Sequence, residues 1–214
     1  MADCCSVNGL DRMFGRKTAR REAAHYLKKG LAERIGKLVR RVPDERVRGA
    51  GVLDIGCGAG GAHLELLRRG AGSAVGVEVS AAYAEAARGL ATELGHGEAV
   101  EYRLGDFVAI QDEIKRTDIV VLDRVVCCYP DMPALVAASA ARAGRFYLLV
   151  APREKWCLRG FARAVRFGMW LVRREFRFFV HSLEAIDRRL TEAGLKKEFE
   201  TEGVLWRSTL FGRE

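Results

Sequence analysis

A doubly wound α/β fold is what this sequence predicts, and three observations predict it. Between residue 50 and about 151, strand-like runs alternate with helix-like ones. The runs Gly51–Ile55, Ser73–Glu78, Ile119–Asp123 and Phe146–Ala151 are almost uninterruptedly apolar, which is how parallel strands covered by helices on both faces read. The first run also enters a glycine cluster, Gly56-Cys57-Gly58-Ala59-Gly60-Gly61, just before a helical pattern begins. Glycines at such a turn remove side chains where backbone must approach a ligand. Right-handed crossovers then set the ligand site at the carboxyl ends of the strands.

The elements follow in order. Lys17–Arg41 reads as a helical preface lying across the mouth of that site. After the glycine turn, a second strand ends near Glu78 and Val79, and Ser80–Leu94 sets Tyr83, Ala87, Leu90 and Leu94 on one helical face. A third strand, Val100–Leu104, delivers Gly105-Asp106-Phe107. Towards the end, Ser182 is a candidate N-cap, Leu183, Ile186 and Leu190 form a stripe, and Gly194 stops the helix. Leu195–Thr201 and Val204–Phe211 then make a hairpin around Glu202-Gly203. The whole reads as one domain, with residues 1–48 as the preface and 49–214 as the core.

Bulk properties narrow the class. With 214 residues, 49% of them apolar, the chain can bury a sizeable core. No apolar run reaches the ~18 residues that a spanning helix needs. Met1–Leu10 has no signal-peptide pattern, so a cytoplasmic protein is expected. The six cysteines fall as the pairs Cys4-Cys5 and Cys127-Cys128 plus Cys57 and Cys157, neither a disulfide framework nor a zinc pattern. The net charge of +8 suits an acidic small molecule, an anionic membrane surface or nucleic acid.

The glycines admit two spacings. Gly56, Gly58 and Gly61 fit the G-x-G-x-x-G dinucleotide fingerprint, a weak signal alone. Asp54, Gly56, Gly58 and Gly60 spell D-x-G-x-G-x-G, which resembles motif I of the class I S-adenosylmethionine-dependent methyltransferases. Glu78 suits a ribose diol in either family, while Gly105-Asp106-Phe107 resembles the methyltransferase loop that faces adenine. A nicotinamide enzyme would also need a substrate domain, for which too little chain remains. The resemblance implies a seven-stranded, mostly parallel sheet with an antiparallel last strand, using S-adenosylmethionine. It assigns the methionine half to Asp54 and the turn Gly56, Cys57, Gly58 and Gly60, with the Cys57 side chain structural. It assigns the ribose to Glu78 beside Val79, the adenine to Asp106 and Phe107, and a further cofactor contact to Asp123.

Substrate chemistry should be written just past the fourth strand, in Asp123-Arg124-Val125-Val126-Cys127-Cys128-Tyr129-Pro130. This is similar to the Asp-Ser-Leu-Ile-His-Tyr stretch of magnesium-protoporphyrin O-methyltransferases. Tyr26-Leu27 with Gly30-Leu31, Pro152-Arg153 and Trp206-Arg207-Ser208-Thr209 also resemble that family. A cysteine replaces its active-site histidine, and a thiol is a poor general base in that place. The acceptor is therefore expected to be a related small molecule rather than a porphyrin.

Tyr26, Cys128 and Tyr129 are the catalytic candidates. Either tyrosine hydroxyl could bond the acceptor oxygen or help remove its proton; the alternative is an aromatic wall. Cys127 and Cys128 read first as a buried small hydrophobe and a loop residue. The sharper alternative has Cys128 meeting substrate, or the pair joining Cys4-Cys5 on a soft metal or metalloid. His181 reads as a neighbour of the Ser182 cap and His63 as packing. No catalytic metal is expected.

Leu158–Phe179, taken as a helix, sets Leu158, Phe161, Val165 and Met169 on one face and Arg159, Arg163, Arg166 and Arg173 on the other. A core helix with a solvated basic side is favoured over a substrate lid or an interfacial helix on anionic lipid. The expected function is methyl transfer to a small or medium, acidic acceptor, on oxygen or else nitrogen or sulfur. The rivals are an RNA methyltransferase, though nucleic acid is the less favoured partner, and a non-catalytic thiol or soft-metal sensor on the same fold.

Overall fold

The computed structural model describes residues 15–154 and 178–213. Its strands are β1 (Gly51–Ile55), β2 (Ser73–Glu78), β3 (Val100–Leu104), β4 (Thr117–Asp123), β5 (Ala143–Pro152), β6 (Lys196–Glu202) and β7 (Trp206–Gly212). They form one sheet in the order β3-β2-β1-β4-β5-β7-β6. β1 to β5 pair in parallel, and β7 runs antiparallel to both of its neighbours. The order reverses between β1 and β4, so the cleft past their carboxyl ends is the topological switch point where ligands bind in such sheets.

The central strands β1, β4 and β5 are largely apolar because both faces are covered. Alternate residues point to opposite sides. Val52, Ile119, Val121, Leu148 and Val150 join one core; Leu53, Val120, Leu122, Tyr147 and Leu149 join the other. The first core is closed by helices α2 (Glu33–Arg41), α3 (Gly61–Arg68) and α4 (Ala81–Glu93). The second is closed by α6 (Met132–Arg142) and α7 (Leu183–Glu192), with the short α5 (Phe107–Ile110) at its edge.

Three expectations shift. The preface is not one helix: α1 (Arg16–Lys29) stops at Gly30, whose φ of 69° and amide bond to the Tyr26 carbonyl cap it before α2 starts. Leu94 leaves its predicted stripe, because it follows the last turn of α4 and is 38% exposed. The hairpin turn takes Gly203, Val204 and Leu205, the Gly203 amide bonding the Trp206 carbonyl, so β7 begins at Trp206 rather than Val204. The Ser182 cap stands, its hydroxyl accepting the Ala185 amide.

Of Leu158–Phe179, only Phe178 and Phe179 are described, without helical structure; Cys4, Cys5 and Cys157 lie outside the described residues. Among the described residues, no helix is long and apolar enough to cross a membrane.

Candidate functional site

A cavity of about 680 Å³ opens past the carboxyl ends of β1, β2 and β4, with α1 and α2 along its mouth. Every predicted site residue lines it except Gly60. Gly60 serves a neighbour: a Cβ there would lie 2.9 Å from the His63 ring. The other two motif glycines also meet protein. A Cβ on Gly56 would fall 2.8 Å from Val125, and one on Gly58 would fall 2.9 Å from a Glu22 oxygen. The turn is thus shaped by its packing neighbours as well as by any ligand.

Two carboxylates form the floor. Asp54, buried at the end of β1, meets His63 Nδ1 at 2.9 Å, and His63 Nε2 lies 3.0 Å from the Tyr102 hydroxyl. That hydroxyl donates onward to the Ala87 carbonyl. The sequence reading of His63 as packing is corrected: it is fully buried and is the partner that orients Asp54. Glu78, at the end of β2, accepts the amides of Gly58, Val79 and Ser80 at 2.9, 2.9 and 3.0 Å. Burial raises its carboxyl above the usual range against the pull of those amides. A carboxylate has about four acceptor sites, so three amide bonds leave it room for another donor.

A third carboxylate comes from α1. Glu22 accepts the Tyr83 hydroxyl at 3.3 Å and lies over Gly58. Between the three sits Cys57, its thiol pushed well up by burial and then by the charges of Asp54, Glu78 and Glu22. The side chain is buried and structural, as the sequence suggested. Its environment is strongly negative.

Asp123 is differently placed from a free cofactor contact. Both of its oxygens are held by Arg34 of α2, at 3.0 and 2.9 Å. The next residue, Arg124, has a φ of 64°, and among the described residues it is the one non-glycine with positive φ. Strain of this kind gathers at functional sites. Arg21, Arg34 and Arg124 also line the cavity, so it carries guanidinium groups as well as carboxylates.

Neither tyrosine presents a free hydroxyl to an acceptor. The Tyr129 hydroxyl donates to Asp106 at 3.0 Å, while Asp106 also caps α5 through the Val108 amide. Tyr129 therefore braces the Asp106 carboxylate. The Tyr26 hydroxyl turns to Glu65 at 3.4 Å, and its ring lies over Gly61. Burial, then the Glu65 carboxylate, pushes its pKa up to about 12, so it holds its proton at neutral pH and cannot serve as a base. Tyr26→Phe is expected to cost no more than about 1 kcal/mol, the worth of one long hydrogen bond, and a urea melt would check it.

Past β4, Cys127 is buried and Cys128 half-buried, and both line the cavity. His181 bonds the Tyr129 carbonyl at 2.8 Å and the Phe179 amide bonds the Cys127 carbonyl, pinning this loop.

Glu22 and Arg34 are the functional residues that sequence reasoning missed. Glu22 had a visible signal: Ala19, Glu22, Ala23 and Tyr26 recur at helical spacing, a carboxylate inside an otherwise inward stripe. Arg34 had none, since its partner lies 89 residues away. Among the described residues no group of three or more His, Cys, Asp or Glu side chains could hold a metal ion.

Residues 52–143 match the family model described as a methyltransferase domain. Magnesium protoporphyrin IX methyltransferase from Synechocystis PCC 6803, solved with bound S-adenosylhomocysteine, superposes with a TM-score of 0.64 at 20% identity, over 95% of this chain and 85% of that one. An O-methyltransferase family 2 protein from Planctomyces limnophilus in complex with apigenin gives 0.67 at 17% identity, over 93% of this chain and 62% of that one. Geranyl diphosphate methyltransferase, in complex with GPP and sinefungin, gives 0.64 at 16% identity, over 84% and 76%. At these identities the likeness is one of fold. No curated protein sequence matches the chain.

Proposed function

From a chain that carries a methyltransferase domain on the class I S-adenosylmethionine-dependent methyltransferase fold, we propose an enzyme that moves a methyl group from S-adenosylmethionine to a small acidic acceptor, at oxygen. One observation supports the donor above others: three carboxylates, Asp54, Glu78 and Glu22, line the cavity around the glycine turn, Glu78 bonded to the Gly58 amide and Glu22 lying over Gly58. A cationic donor is attracted there, and a pyrophosphate is repelled. The cavity volume of about 680 Å³ lies inside the usual range for small-molecule sites. The solved proteins of this fold carry S-adenosylhomocysteine, apigenin and GPP in their sites.

The donor supplies a methyl group already activated on a sulfonium. The chain's residues hold, orient and enclose. Asp54, fixed by His63, and the turn Gly56 to Gly60 take the methionine half; Glu78 beside Val79 takes the ribose; Asp106, braced by Tyr129, and Phe107 frame the adenine. Arg34, kept in place by Asp123, and Arg124 receive the acceptor's acidic group. α1 and α2 exclude water, with residues 1–48 as the cover of a single domain.

Calorimetry with S-adenosylmethionine, S-adenosylhomocysteine and NAD checks the donor: the first two should bind and NAD should not. Uptake of NAD with neither adenosyl compound bound sinks the reading. For the acceptor, labelled methyl transfer to a panel of carboxylates and phenols should find a substrate whose KM rises in Arg34→Ala far more than kcat falls.

A further inference from the structure

Where β4 ends, the left-handed Arg124 turns the chain into one 3-10 turn, Val126–Cys128. Adjacent side chains usually diverge, but here this turn brings the two sulfurs of Cys127 and Cys128 to 3.8 Å from each other. Both side chains line the cavity, Cys127 from its wall and Cys128 from a half-buried position. The Cys127 thiol is held in place by the Arg124 carbonyl at 3.0 Å. Reading the pair as one packing residue and one loop residue leaves this shared orientation unexplained.

From this juxtaposition we propose that Cys127 and Cys128 form a dithiol site which captures a small trivalent thiophile of the arsenical class, chelated by both sulfurs at the wall of the cavity. Two soft thiolate donors match a soft centre. A tetrahedral resident ion such as zinc needs four ligands, and among the described residues no group of three or more His, Cys, Asp or Glu completes such a set. A trivalent arsenical bearing one organic substituent needs only two sulfurs.

The pair is also divided in reactivity. The contact with the Cys127 sulfur, together with the Arg124 charge, draws the Cys128 thiol down despite burial. The same contact with Cys128, and then burial, pushes the Cys127 thiol up. Cys128 is thus the first nucleophile and Cys127 the second. With an organoarsenic oxide, two arsenic–sulfur bonds form and the arsenic–oxygen double bond is lost. The oxygen leaves as water with both thiol protons, and arsenic stays trivalent, so no oxidant or reductant is required.

The site does not depend on the methyl-transfer reading. Phenylarsine oxide is the probe, and intact mass after removal of excess reagent is the readout. Because Cys4-Cys5 is a second adjacent pair, the reference protein carries Cys4→Ser and Cys5→Ser. That reference should retain one equivalent as the doubly linked adduct, and adding Cys128→Ser should cut retention at least tenfold. Cys127→Ala, with its fold checked by circular dichroism, should do the same. Loss of the adduct in the reference, or its survival in Cys128→Ser, overturns the proposal. S-adenosylmethionine binding, measured separately, reports on the donor reading alone.

Discussion

Asp54→Ala is expected to lose S-adenosylmethionine affinity by a hundredfold or more, about 3 kcal/mol for a charge-assisted contact inside a cavity. Stability should fall as well, and for a separate reason. His63 is fully buried, and its Nδ1 finds its partner in Asp54 at 2.9 Å. Removing that carboxylate leaves a buried polar nitrogen unpaired, a cost of about 1–3 kcal/mol. His63→Leu separates the two effects. It removes the same bond and keeps the carboxylate, so it should lower the urea midpoint while costing less affinity than Asp54→Ala. Equal losses of affinity in the two variants would mean that Asp54 acts only through the packing of the turn.

The sheet was legible because its physics is local. Strands buried on both faces are apolar almost throughout, so β1 and β2 could be bounded by reading where that character stops. The Ser182 cap was legible for the same reason, since an N-cap depends on the next three residues. The errors come where a local pattern has two outcomes. Apolar Leu94 and Val204 fit a helix stripe and a strand, but a capping position and a turn claimed them. Lys17–Arg41 keeps its helical spacing across Gly30, and only the backbone there shows that the chain changes direction.

In the site, residue types were legible and their partners were not. Motif I gave Asp54 and the glycines, and the strand ends gave Glu78 and Asp106. What these groups do depends on residues far along the chain: Glu22 for Tyr83, Arg34 for Asp123, Tyr129 for Asp106. Such pairs leave no periodic trace. This is why Tyr26 and Tyr129 read as catalytic. A tyrosine expected at the mouth of the site or past a strand end has the right chemistry, and the sequence does not show that its hydroxyl turns to Glu65 or Asp106.

Glu78→Ala should have the other large effect, on affinity and on the pH dependence of stability together. The carboxylate ties three amides, those of Gly58, Val79 and Ser80, so its loss releases the glycine turn from β2 as well as removing a ribose contact. A hundredfold or larger loss of S-adenosylhomocysteine affinity, about 3 kcal/mol, is expected by calorimetry. The sign of the pH effect follows from the direction of its shift. Burial raises the Glu78 carboxyl in the folded chain, against the opposing pull of the amides. The folded state then binds this proton more tightly than the unfolded one. Its contribution therefore favours folding below the ordinary carboxylate range, weakens as pH rises through the raised folded value, and is constant above it. Unfolding free energies of wild type and Glu78→Ala, compared across pH 4–8, should differ by an amount that shifts against wild type as pH rises. Neighbouring Asp54 and Glu22 are present in both proteins, so the difference isolates Glu78 to first order. A difference that is flat with pH would show that the three amides balance burial, and one that grows in favour of wild type that they outweigh it.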